Sequence, residues 1–157
     1  MNRSSTTHRL AFSVLAVSFL AGCSQTYKPP SALPKTQIKI GSKVYTLEIA
    51  ADEPSREHGL MERDPIPQDW GMIFVFPDEQ DRSFWMHHTR FALDILYVSA
   101  SGKVVSIRTM KAYDENTTPS DGAAKYAIEL TAGQAKLSGV KEGDVLTIPP
   151  EAKETAQ

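Results

Sequence analysis

The chain has 157 residues, 17 Lys and Arg against 19 Asp and Glu, a formal net charge of −2 and a single cysteine. With neither a run of basic residues nor a net positive charge, it lacks the electrostatic footprint that a phosphate backbone requires, and nucleic acid is excluded as the expected partner. One cysteine excludes an intrachain disulfide framework and a zinc-thiolate site, so stability must come from packing, and the length suits one domain.

Arg3, His8 and Arg9 precede an apolar and small-residue stretch from Leu10 to Gly22, too short to cross a bilayer core. Residues 1–22 read as an export signal. Leu20-Ala21-Gly22-Cys23 resembles the lipobox of bacterial lipoproteins, in which the cysteine becomes the acylated N-terminus of the mature chain. Several acyl chains on Cys23 would hold the protein stably on a membrane. Ser24 in second position, rather than an aspartate, suggests the outer membrane of a Gram-negative cell, facing the periplasm. Removal of Arg3 and Arg9 leaves 15 basic against 19 acidic residues.

Residues 23–35 carry Pro29, Pro30 and Pro34 among polar neighbours, the composition of an extended tether behind the lipidated cysteine. The expected domain spans residues 36–150. It opens with strands at Gln37–Ile40 and Lys43–Ile49, joined by a tight Gly41-Ser42 turn. A short helix runs to about Leu60, capped by Asp52 with Pro54 in its first turn. Gly71–Phe76 is an apolar strand stopped by Pro77, and further strands fall at Ser83–Thr89, Leu93–Ser99 and Lys103 to about Ala112. Ala124–Leu130 is another strand, Ala132–Leu137 a helical turn and Val145–Ile148 a closing strand, with a loose tail over residues 151–157. Many short strands and one or two short helices predict a mainly β fold, a compact antiparallel β-sandwich or barrel.

Arg56, Gly59-Leu60-Met61, Arg63, the run Gly71 to Phe76, Phe84-Trp85-Met86, Thr89 and Leu93-Asp94-Ile95 resemble the DUF192 family, also called UPF0127. Val104-Val105, Ala124–Leu130, Ala132-Gly133 and Val140–Val145 extend the resemblance over about Leu47–Ile148. It implies a jelly-roll-like β-sandwich and no established biochemical activity. Where the family usually reads Phe-Trp-Met-Lys-Asn-Thr, this chain has His87-His88, and a proline common shortly after the motif is absent around Phe91-Ala92.

On a strand from Ser83, alternation would send Phe84, Met86 and His88 to one face and Trp85, His87 and Thr89 to the other, with His88 inward. The two histidines then cannot share a metal site without a bulge, and neither metal nor cofactor is expected. Asp94, within an apolar strand, needs a partner if ionised: Arg56, Arg63, Arg90 or backbone donors. Either it forms an ion pair that fixes the short helix or its following loop onto the sheet, or it lines a polar pocket with Arg63. The aromatic and methionine cluster of Met72, Phe74, Phe76, Phe84 and Met86 reads as core, with Trp85 the residue able to stand at a cleft mouth. No Gly-x-Ser-x-Gly elbow, paired carboxylates, phosphate loop or dinucleotide fingerprint is present. The ligand-binding candidates are therefore Arg56, Arg63, Trp85, His88 and Asp94, on a monomeric binding or accessory module for a saccharide or an envelope protein. The competing classes are a hydrolase or metal-dependent enzyme using Asp94, His88 and Arg63, and a structural interaction module.

Overall fold

Lys35–Ile40 (β1) alternates exposed and buried side chains without interruption, placing Thr36, Ile38 and Ile40 on one buried face, as an edge strand with a solvated side should. The computed structural model describes residues 33–154; the expected export signal, the expected lipidation site Cys23 and most of the expected tether lie outside the described residues. Lys43–Ala50 (β2) pairs antiparallel with β1 across the Gly41-Ser42 turn. Gly41 has φ +57°, and a Cβ there would meet the Ser138 carbonyl oxygen at 2.2 Å, so only glycine fits both the turn and the close approach.

Glu53–His58 (α1) starts as expected, with the Asp52 carboxylate accepting from the Ser55 amide at 2.8 Å and Pro54 in the first turn. The strands that follow are Trp70–Gln80 (β3), Ser83–Phe84 (β4), Leu93–Val98 (β5), Val104–Met110 (β6), Thr118–Pro119 (β7) and Ala124–Thr131 (β8). Among the described residues two further short helices follow, Gln134–Ser138 (α2) and Pro150–Glu154 (α3).

The fold is mainly β, as expected. Six strands form one sheet in the order β1-β2-β3-β8-β5-β6, and β4 pairs with β7 in a second, two-stranded sheet. One pairing departs from the antiparallel pattern: β2 and β3 run parallel, because α1 and the connection after it carry the chain back to the starting edge. The interior strands are covered on both faces, and β5 is buried at all six positions. On one face, Leu47, Ile73, Leu96 and Ile128 pack with Ala135, Val140, Leu146 and Ala152 from α2, α3 and the segment between them. On the other, Met72, Phe74, Ile95 and Tyr97 pack with Leu60, Ile66 and Met86.

Several boundaries differ from the sequence-based expectation. Pro77 does not stop β3; the strand continues to Gln80 through a register shift between Val75 and Gln80, which lets the ladder skip the residue that has no N–H. The strand expected over Ser83–Thr89 ends at Phe84. Beyond it the Thr89 amide bonds to the Met86 carbonyl at 3.0 Å and His88 takes φ +50°, so the chain turns instead of extending. Of Val145–Ile148, only Val145 makes a bridge, to Lys103, while Leu146 and Ile148 are buried by packing. Residues 150–154 are helical rather than loose: Ala152 is fully buried, and Glu151 accepts a hydrogen bond from the Thr36 hydroxyl at 3.0 Å.

Gly71 on β3 lies against β8 and β2, and a Cβ there would meet the Glu129 carbonyl oxygen at 2.2 Å and both the Leu130 and Leu47 side chains at 2.9 Å. Backbone cannot yield as a flexible side chain can, so Gly71→Ala should cost at least about 2 kcal/mol of stability, read as a lowered midpoint in urea unfolding.

Candidate functional site

A cleft of about 570 Å³ opens between α1 with its following turn, the end of β3 and β4. Its wall is aromatic because β3 carries Phe74 and Phe76 on the face that β4 covers with Phe84. Phe74 and Phe84 meet edge-to-face with centroids 4.8 Å apart, and Phe84 continues onto Phe76 at 6.4 Å and Tyr97 at 5.9 Å. The Arg56 and Arg82 guanidiniums lie 5.4 Å and 3.9 Å from the Phe76 ring centre. Part of their donor set is used by the protein itself. Arg56 bonds the carbonyls of Ala51 and Val75, and Arg82 bonds the Ala124 carbonyl at 3.2 Å and the Asp78 carboxylate. Trp85 stands at the mouth, 49% exposed.

Beneath this wall lies a cluster of buried charge. Register places Glu48 on β2 beside Met72 on β3, Met72 opposite Glu129 on β8, and Glu129 opposite Ile95 on β5, so these side chains share one face. Arg63, from the connection after α1, donates to Glu48 Oε2 at 2.8 Å, the two side chains being only 4% and 1% exposed. Glu129 is 4% exposed and lines the cleft. Burial pushes its carboxyl up to about 8, with the charge of Arg63 pulling in the opposite direction. Burial and then the charge of Glu129 raise the Tyr97 phenol on the next strand, whose hydroxyl donates to the Thr118 carbonyl.

The structure brings Arg56 and Trp85 to the cleft and sets Arg63 beside Glu129 below it. Asp94 is elsewhere. It shares the opposite face of the sheet with Leu96 and Val98, so the pocket expected from Asp94 and Arg63 does not form. None of the candidate arginines pairs with it: Arg63 is held by Glu48, Arg56 by carbonyls, and Arg90 by Asp64 at 3.4 Å on the surface. The partners are the Thr109 hydroxyl at 2.7 Å and the Ala135 amide at 3.0 Å, which fixes α2 onto the sheet. Neither role considered for Asp94 is the one the geometry shows: it ties down α2 through a backbone amide, and makes no ion pair with α1 or the loop after it.

His88 is not inward, because the turn at Met86–Thr89 destroys the alternation on which that expectation rested. Its side chain is 58% exposed, and its ring stacks on His87 at 3.8 Å, which in turn stacks on Trp85 at 4.8 Å. Glu115 lies 3.0 Å from His87 Nδ1, and Glu62 lies 4.0 Å from His88 Nδ1. Among the described residues no group of three or more His, Cys, Asp and Glu side chains is placed to hold a metal ion.

Glu48 and Glu129 were missed by sequence reasoning for different reasons. Glu48 alternates with Leu47 and Ile49, the pattern of a solvated strand face, and only the overlying loop buries it. Glu129 stands in Ala127-Ile128-Glu129-Leu130, a charge within an apolar run, which is the signal that singled out Asp94.

Two expectations follow. A carboxyl with a raised folded-state pKa binds more protons folded than unfolded, so Glu129 should make stability fall as pH rises from about 4.5 to about 8 and level off above. Glu129→Gln should flatten that decline and raise stability at pH 8 by a few kcal/mol, checked by urea unfolding across the pH range. Asp94→Asn leaves one oxygen to serve two donors and should cost about 1–3 kcal/mol without altering the cleft, checked by calorimetric melting.

Comparison with known proteins places these features in a family. The DUF192 profile, described as an uncharacterized ACR, matches residues 36–148. A crystal structure from Sinorhizobium meliloti 1021, designated a candidate transcription regulator, is 32% identical with a TM-score of 0.66, the match covering 71% of this chain and 89% of that one. A protein of unknown function from Novosphingobium aromaticivorans DSM 12444 is 28% identical with a TM-score of 0.70, covering 78% and 91%. No curated protein matches. From its first edge strand to the buried residues before α3, the chain belongs to the DUF192 family.

Proposed function

We propose that this protein is an envelope lipoprotein, anchored through Cys23 and facing the periplasm, whose DUF192 domain binds a saccharide of the cell envelope in the aromatic cleft. The observation that carries the reading is Trp85, half-exposed at the mouth of a cleft walled by Phe74, Phe76 and Phe84. Concave aromatic surface with a few inward polar groups is the usual form of a small-molecule site, and indole faces suit sugar rings. The anchor is supported by the basic, apolar and small-residue order of residues 1–22 and by Leu20-Ala21-Gly22-Cys23.

An enzyme built on Asp94 and His88 gains no support, since one caps α2 beneath the sheet and the other lies in a surface stack. The designation of the Sinorhizobium protein is that of a transcription regulator, and such a role exercised by binding DNA gains no support from a chain whose acidic residues outnumber its basic ones.

The test is thermal melting of the purified protein with cell-wall fragments, oligosaccharides and divalent metals. A ligand at a hundredfold excess over its Kd adds about 2.7 kcal/mol of stability. An oligosaccharide should raise the melting temperature, and Trp85→Ala should weaken that ligand by about tenfold or more while leaving the free protein's melting temperature nearly unchanged. A response to no saccharide, with the protein folded, would move the reading to a protein partner.

A further inference from the structure

The cleft holds more negative charge than the protein itself neutralises. Glu53, Glu57 and Asp81 line its rim, and no hydrogen bond or ion pair joins any of their carboxylates to another described residue. Of the two arginines nearby, Arg82 is paired with Asp78, and Arg56, which spends its Nη1 on backbone carbonyls, pairs with no carboxylate among the described residues, so one unpaired guanidinium faces three unpaired rim carboxylates. Below the rim, in the buried layer, two carboxyl groups face one guanidinium. Arg63 is bonded to Glu48, and Glu129 has no hydrogen bond or ion pair among the described residues although it is almost wholly buried. Its carboxyl borders the cleft, so the one direction from which a partner can reach it is the cleft itself. Burying a carboxylate without a counter-charge is costly, so Glu129 alone keeps its proton toward neutral pH, and a cation brought against it from the cleft would let it ionise and supply what the fold leaves out.

We propose that the cleft takes a saccharide bearing a free amine, whose ammonium group pairs with Glu129 while a sugar ring lies against Trp85. The inference rests on the saccharide-binding reading above and names the ligand class. Three features fit one molecule: aromatic wall for the ring, carboxylate rim to draw a cation in, and a buried acid as its terminus. A neutral N-acetylated sugar satisfies the first feature only, and an anionic sugar is repelled by the second.

The test compares glucosamine oligomers with N-acetylglucosamine oligomers of equal length, binding to the purified full chain in detergent, by isothermal titration calorimetry. The amine form should bind at least about tenfold more tightly. Glu129→Gln, nearly isosteric, should bring the two affinities together. Glu57→Gln with Asp81→Asn, both exposed and remote from the core, should reduce the preference severalfold and covers the case in which the buried variant does not fold. Equal or tighter binding of the acetylated oligomer overturns the amine assignment and leaves saccharide binding standing, as does an undiminished preference in Glu129→Gln. Binding of neither oligomer overturns the amine assignment, and saccharide binding falls with it only if no other oligosaccharide raises the melting temperature.

Discussion

Arg63 reaches from the connection after α1 to Glu48 on β2, and the cleft depends on that contact. The parallel pairing of β2 with β3 obliges the chain to leave the sheet, cross over it and return, and a crossover without regular structure beyond α1 needs something to hold it down. Leu60 and Ile66 enter the apolar layer on either side of Arg63 in sequence, and the buried ion pair fixes where they enter. Such a pair contributes little net stability after desolvation, but removing one member leaves a buried charge unpaired, so it discriminates strongly between this docking and any other.

The sheet also acts as a partition between two kinds of buried carboxylate. On one face Asp94 accepts from Thr109 and from the first turn of α2, which satisfies its oxygens and makes it part of the scaffold. On the other, Glu129 sits in a layer of rings and methionine with only the charge of Arg63 acting on it, and burial moves its titration toward neutral pH. Adjacent strands β5 and β8 carry both residues, each in an apolar run. What separates them is the set of groups overhead: a helix terminus with a free amide in one case, and an open cleft in the other.

The turn at Met86–Thr89 has a comparable effect on the surface. Had β4 continued, His88 would have pointed inward beside Met86; the left-handed conformation at His88 instead lays Trp85, His87 and His88 one upon another at the edge of the cleft. The stack holds Trp85 at the mouth in a fixed orientation, at little conformational cost for a ligand that uses it.

Much was legible in the chain order of residues. Apolar alternation located the strands, Gly41-Ser42 the first hairpin, Asp52 and Pro54 the start of α1, and Gly59-Leu60-Met61 with Phe84-Trp85-Met86 the family. These are local signals, set by backbone preferences and by the period of side chains along one strand. The direction of β2 relative to β3, the burial of Glu48, and the opposite fates of Asp94 and Glu129 were decided only by tertiary structure. Each depends on which segment covers a given face of the sheet, a relation between residues far apart in sequence that no local period records.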